Sequence, residues 1–270
     1  QGASHTSPYK GKQVNGVPGV VTAVGPNGYW IQSTSPDSDI ATSEGLYIYT
    51  SKDAKNVAIG DEVSVDGSIS EYAPGGGTNL TTTELTGSKA TVLSHDNTLP
   101  APVVLGVDRI APQQVIEEGN PLNVEYSQAL FRPTSDAIDF YESMEGMRAT
   151  VRDAKVVGAT KSFGEMTVVP GQNVDAITTP RGGVLYSGYD HPNAMRVQLD
   201  DALLPIGAMP KASVGDSIAG DTVGVIDYTY NNPKLEVTAT PSLTLGGLQR
   251  EITKTQSNNQ LAVSTFNVEN

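Results

Sequence analysis

The sequence predicts an all-β protein built from two small barrels in tandem. Its 28 glycines and 17 prolines are scattered among short segments rich in Val, Thr, Ile and Tyr, and no helical pattern exceeds about three turns. The same plan also occurs twice, since a Gly-Asp turn, a strand with an internal glycine and a final tyrosine occupy both 60–72 and 215–228. This repetition favours two barrels over one large sandwich.

The first module, residues 1–104, contains five strand-like segments. VNGVPGVVTAVGPNGYWIQS (14–33) reads as two strands around a Pro-Asn-Gly turn, and further strands follow at 45–51, 60–72 and 78–94. Five short strands bury too little as an open sheet and would leave two edges exposed, so a closed barrel is expected. The oligonucleotide/oligosaccharide-binding barrel, or OB-fold, is the commonest five-stranded solution.

The second module, residues 144–254, follows the same plan more loosely. Its predicted strands lie in 144–159, 163–170, 195–201 and 215–241. Residues 105–143 form a linker after the prolines at 100 and 102, and short helices are expected over 110–119 and within 136–147.

Composition excludes several classes of site. A net charge of −13 opposes sequence-independent attraction to a polyanion or to anionic lipid. Cysteine is absent, so disulfides, zinc–thiolate sites and thiol nucleophiles are excluded. No apolar run reaches the length of about 20 residues that crosses a bilayer, so no membrane partner is expected.

Aromatic side chains on the third strand suggest a stacking surface. In GLYIYTS (45–51) the aliphatic residues alternate with Tyr47 and Tyr49, which places the tyrosines on the outer face if the aliphatic ones point inward. Trp30 would extend this surface. Stacking on such rings is worth roughly 1–3 kcal/mol per base. The alternative is that these aromatics pack against the neighbouring module.

Basic residues cluster at the start of the second module. Arg148, Arg152 and Lys155 lie close together in sequence and could follow a DNA backbone. The alternative is ordinary solvated surface charge.

An acidic loop, SPDSDIATSEG (35–45), carries Asp37, Asp39 and Glu44. Oxygen-rich loops of this kind bind Ca²⁺, although the EF-hand pattern is missing. A structural Ca²⁺ is therefore one expectation, and an ordinary surface loop is the alternative.

Four segments resemble a known family when they are taken in order: GASHTSP (2–8), MEGMRATV (144–151), GDSIAGDTVGVIDYTYNNPKLEVTATP (215–241) and LAVSTFNVEN (261–270). Together they resemble large secreted nucleases of the endonuclease/exonuclease/phosphatase superfamily. In that family OB-like modules precede a DNase I-like catalytic domain.

The resemblance implies that residues 255–270 open a truncated catalytic domain, with 261–266 as its buried first strand. Asn267 would then be the strand-end asparagine beside the metal and the scissile phosphate. The carboxylates that hold Mg²⁺, a catalytic histidine and the aspartate that orients it would come from beyond residue 270, so the chain alone is expected to be inactive.

The expected function is thus an accessory region of an extracellular, Mg²⁺-dependent nuclease. The region would bind DNA and support its own C-terminal catalytic domain. Two alternatives remain open, namely carbohydrate-binding modules or purely structural modules of a secreted hydrolase or phosphatase.

Overall fold

The computed structural model describes residues 1–52, 56–73, 80–120, 122–126 and 130–265. The chain is nearly all β and forms two curled sheets, as predicted. The first sheet contains β1 (Gln13–Gly25), β2 (Gly28–Gln32), β3 (Gly45–Tyr49), β4 (Glu62–Tyr72) and β5 (Thr82–Ser94). Next come β6 (Val103–Leu105), α1 (Ala137–Glu142), β7 (Arg148–Arg152), β8 (Lys155–Gly158), β9 (Met166–Val169) and β10 (Val197–Asp200). The last strands are β11 (Ser217–Ile218), β12 (Asp221–Thr229), β13 (Asn232–Val237) and β14 (Leu243–Thr244).

The first sheet is a closed barrel with the strand order β1-β2-β3-β5-β4. β1 closes it by pairing with both β2 and β4, and β3 runs parallel to β5. Side chains alternate along β4, so Val63, Val65 and Ile69 point into the barrel with Ile48 and Leu85. This is the strand order of an OB-fold, which confirms the predicted barrel.

The second sheet repeats this order around a split strand. Only two residues separate β7 from β8, and Asp153 there has a φ of 47°, so the two strands are halves of one long segment. β7 pairs with β12 while β8 pairs with β9, and β10 runs parallel to β13 as β3 does to β5. The order β8-β9-β10-β13-β12-β7 thus curls into a second barrel-like sheet, which encloses Val151, Met166, Leu199 and Leu235.

The linker contains one of the two predicted helices. α1 confirms the expectation for 136–147, whereas the helix expected over 110–119 is wrong. The carbonyl groups of Val115 and Ile116 instead accept hydrogen bonds from the N–H groups of Ala137 and Ile138, so they are used to hold the start of α1. No helix in the described ranges is long and apolar enough to cross a membrane.

The prediction of a buried strand at 261–266 is wrong for residues 261–265, which are the part of this range that the structure describes. These residues form no strand, and Leu261 and Val263 are 88% and 82% exposed. The apolar alternation alone does not form a strand, because backbone groups need a neighbouring strand to pair with. Asn267 lies outside the described residues.

The two barrels meet through the outer face of β2 and β3. Trp30 and Tyr47 pack with Val225 of β12 and with Leu203. Next to them the backbones touch, since a Cβ atom on Gly45 would lie 2.2 Å from the carbonyl carbon of Gly146. The inter-barrel contact therefore requires glycine at position 45.

Carboxyl groups are buried beside this contact. Glu142 and Glu145 are only 5% and 3% exposed, and one oxygen of each has no hydrogen-bond partner within the described residues. With Asp227 they border a void of about 10 Å³. Burial, first, and neighbouring carboxylates, second, raise the pKa of both glutamates well above the ordinary 4.5.

We expect the free energy of unfolding to fall as the pH rises from about 5 to 8. A group whose pKa is raised by folding stabilises the folded state most at a pH below its ordinary pKa. This contribution to the free energy of unfolding is lost as the pH rises through the pKa that the group has in the folded state. Each such proton contributes up to about 1.4 kcal/mol per pH unit. Glu142→Gln cannot ionise, so at pH 8 it should be more stable than the wild type by more than about 1 kcal/mol. Urea unfolding at several pH values measures this difference.

Asp96→Asn is the matched control, because Asp96 is exposed and its φ of 57° suits asparagine. Its profile should run parallel to that of the wild type. If the profile of Glu142→Gln is also parallel, these carboxyls do not set the pH dependence.

Candidate ligand-binding groove

OB-folds bind their ligands on the face of strands 2 and 3 and on the adjoining loops. In the first barrel these strands are β2 and β3. In the second barrel they are β9 and β10, and the turn between β12 and β13 corresponds to the loop between strands 4 and 5. The two barrels can therefore be compared at the same place.

The corresponding face of the first barrel is covered. Trp30 is 7% exposed, its ring centroid lies 4.7 Å from that of Tyr47, and both rings pack towards the second barrel. Burial raises the pKa of Tyr47. The structure thus favours the alternative stated above for these two residues, since Trp30 cannot stack on a base in this arrangement. Tyr49 is 39% exposed, and its role in DNA binding stays a prediction.

The corresponding face of the second barrel carries an open cavity of about 350 Å³, which residues of the linker and of α1 also line; it is here called the β9–β10 groove. A cavity of this size suits a ligand the size of one or two sugar or nucleotide units. Its lining combines polar and aromatic side chains with apolar ones, and of the apolar ones Ile116 and Leu122 are exposed. The polar and aromatic lining residues are Tyr141, Thr167, Asn193, Arg196, Gln198, Tyr228, Asn231 and Asn232.

Half of these eight residues carry neutral amides. The side-chain oxygen of Gln198 is buried and has no hydrogen-bond partner within the described residues, so it offers an acceptor to a ligand. Arg196 is exposed, and its Nε donates to the carbonyl of Asn193 at 3.0 Å. The groove therefore combines hydrogen-bonding amides with one cation.

A strained turn lies beside the groove. Tyr230 and Asn231 join β12 to β13, and both have positive φ values, 50° and 61°. This is the pattern of a two-residue type I′ hairpin, in which Asn and Gly are favoured and a bulky residue is costly. Tyr230 is nevertheless 66% exposed, with the ammonium of Lys234 5.5 Å from its ring centroid. The exposed ring thus belongs to a turn whose second residue, Asn231, lines the groove, and its position has a cost in backbone energy.

The predicted basic patch is divided in the structure. Arg148 donates to the carbonyl of Pro100, and burial lowers its pKa. Arg152 forms a two-pronged ion pair with Asp221, at 2.6 and 3.0 Å. Lys155 is exposed. Only Lys155 of the three is therefore left with an open side chain, and the role of all three in DNA binding stays a prediction.

The predicted acidic loop uses its carboxylates internally. Asp37 accepts the N–H of Asp39 at 2.7 Å, Asp39 accepts that of Ala41 at 2.9 Å, and Glu44 accepts that of Asp37 at 2.8 Å. These bonds close turns of the loop, in agreement with the surface-loop alternative. A Ca²⁺ at this loop stays a prediction. The described ranges contain one other group of possible metal ligands, which consists of His5, Glu117 and Asp139. One ligand atom of each residue lies within 4.8 Å of the other two.

Sequence reasoning missed the β9–β10 groove. Its residues come from the linker and α1, from β9, β10 and the loop before β10, and from β12, β13 and the turn between them, so no single stretch contains them. One local signal was available in DYTYNNPKLEV (227–237), where Tyr-Asn occupies a turn that Asn-Gly would form at lower cost. Such a costly turn residue marks a candidate functional position.

The fold and the groove together define an all-β protein of two joined barrels, one covered and one open. Residues 104–245 match the family described as a domain of unknown function (DUF8508). The match covers just over half of the 270 residues, so the chain belongs to this family. It spans the whole linker and most of the second module. No curated protein matches the chain.

We expect Trp30→Ala to reduce the free energy of unfolding by about 3–5 kcal/mol, because it opens a cavity between the barrels. Tyr49→Ala, on the same face but exposed, should cost about 1 kcal/mol or less. Urea unfolding of both variants measures the difference. Similar losses for the two variants would contradict the placing of Trp30 in the inter-barrel contact.

Proposed function

We propose that this chain is a non-catalytic binding region that holds single-stranded DNA in the β9–β10 groove. The observation that carries the proposal is the position of the groove on the one OB ligand face that the other barrel leaves open. Its amides are suited to the edges of bases, and the exposed ring of Tyr230 offers a stacking surface beside them.

A charge of −13 is compatible with this proposal because the groove relies little on phosphate attraction. Among the described residues that line it, Arg196 is the one cationic side chain. Binding through base edges and stacking needs few cations, and its salt dependence should be weak, with a slope near −0.7 for one phosphate contact on a single strand.

The context proposed for this activity is a secreted, Mg²⁺-dependent nuclease of the superfamily that the sequence resembles. In that context the region would present DNA to a catalytic domain, and Asn267 would belong to that domain. Cleavage of DNA by the 270-residue chain alone in Mg²⁺ would contradict the accessory role.

Carbohydrate binding is a second candidate function. The observation that favours it is the predominance of neutral amides over cations in the groove, since sugar hydroxyls pair well with amides and stack on tyrosine rings. Carbohydrate affinity should be nearly independent of salt. Competition between a labelled oligonucleotide and soluble oligosaccharides distinguishes the two ligands.

We expect Arg196→Ala to weaken binding of an eight-nucleotide single strand by about three- to tenfold and to remove the salt dependence, because the variant loses its phosphate contact. Fluorescence anisotropy between 50 and 200 mM salt measures both effects. Arg181→Ala is the matched control, as Arg181 is exposed, pairs with Glu251 and lies outside the groove. Equal losses for the two variants would point to general charge rather than to the groove.

We expect Tyr230→Asn to raise the free energy of unfolding by about 1 kcal/mol while weakening DNA binding. Asparagine tolerates the positive φ of this position better than tyrosine does, and it removes the stacking ring. Thermal unfolding and anisotropy on the same samples test the pair of effects. Unchanged DNA affinity in the stabilised variant would exclude Tyr230 from the binding surface.

A further inference from the structure

Three segments that are far apart in sequence converge on one buried cluster. His5 belongs to the N-terminal segment before β1, Glu117 to the linker and Asp139 to α1. His5 is 5% exposed and Asp139 is fully buried, and the imidazole Nε2 lies 2.7 Å from Asp139 Oδ1. One ligand atom from each residue lies within 4.8 Å of the other two.

The cluster has more acceptors than donors. Oε1 of Glu117 accepts the N–H of Gly119 at 2.7 Å, but its buried Oε2 has no hydrogen-bond partner in the described part of the chain. The guanidinium of Arg132 is engaged by Asp136 and Glu118 instead. The imidazole of His5 is thus hydrogen-bonded to Asp139, while a nearby buried oxygen of Glu117 is left unpaired, which is costly.

We propose that His5, Glu117 and Asp139 bind a divalent metal ion, and that Zn²⁺ is the ion best suited to them. One imidazole nitrogen and two carboxylate oxygens form a donor set that Zn²⁺ accepts, with water in the fourth position. Tetrahedral ligation at about 2.1 Å sets the ligand atoms about 3.4 Å apart. The hydrogen bond between His5 and Asp139 would open by less than about 1 Å to admit the ion.

The surroundings already orient two of the ligands. The backbone N–H of Arg132 donates to Asp139 Oδ2 at 2.5 Å, which leaves Oδ1 to face His5. The ring of Phe131 meets the His5 ring edge-on at a centroid distance of 5.1 Å. Supporting contacts of this kind fix the orientation of ligands around metals in proteins. A metal here would tie the N-terminal segment to the linker and to α1.

The experiment uses the full chain after removal of metal with EDTA and dialysis. Zn²⁺ is titrated in by calorimetry, bound metal is counted by mass spectrometry, and the melting temperature is recorded with and without the ion. We expect one equivalent of Zn²⁺ and a rise in melting temperature of about 5 °C or more at a hundredfold excess over Kd. Mn²⁺ and Ca²⁺ are titrated separately and should bind more weakly.

Two ligand variants and one control test the assignment. His5→Ala and Glu117→Gln should each weaken Zn²⁺ binding at least tenfold, and Glu117→Gln preserves the shape of the side chain if His5→Ala fails to fold. His95→Ala is the control, because His95 lies 2.7 Å from Asp61 but is 72% exposed and belongs to no three-ligand group within the described residues. Its affinity for Zn²⁺ should equal that of the wild type.

Three outcomes would overturn the proposal. Absence of stoichiometric Zn²⁺ binding would leave the cluster as a buried ion pair. Unchanged affinity in Glu117→Gln would exclude the glutamate as a ligand. Loss of binding in His95→Ala alone would move the site to the exposed histidine. None of these readouts involves DNA, so the result is independent of the function proposed for the groove.

Discussion

The docking of one barrel on the other is the constraint on which the rest of the structure depends. Gly45 and Gly146 bring two backbones into direct contact, and Trp30 fills the space beside them against Val225. Because β2 and β3 supply this contact, the first barrel uses its ligand face for assembly. The second barrel keeps the same face open. The two barrels share one topology, but the ligand face of the first is used for docking, whereas that of the second is left for a ligand.

The docking also explains where much of the acidity of the chain goes. Glu71 of the first barrel accepts the N–H of Ser7 at 2.7 Å and the hydroxyl groups of Thr81 and Thr83. Glu145, from the segment after α1, accepts the N–H of Thr83 at 2.8 Å. Carboxylates therefore organise the junction between the N-terminal segment, the first barrel and the segment after α1. The strongly negative composition reports on this buried network as well as on the surface.

The sequence predicted the features that depend on local pattern. Alternation in GLYIYTS correctly placed Ile48 inside the barrel, and the repeated Gly-Asp pair correctly indicated two modules. Alternation identifies which residues share a face but not what covers that face, so the burial of Trp30 against residues of β12 could not be derived. The groove was out of reach for a related reason, since Asn193, Gln198 and Asn232 are brought together by the pairing of β10 with β13 and by the loop before β10.

The linker affects how large the contact at Gly45 and Gly146 has to be. A free chain the length of residues 95–143 would span roughly 35–40 Å on average, so tethered barrels meet at an effective concentration in the millimolar range. Docking within one chain can therefore persist with a contact too small to hold two separate proteins together. In evolutionary terms, one close backbone approach is enough to fix the orientation of a second barrel that is already tethered. The residues on the ligand face of that barrel then remain free to change.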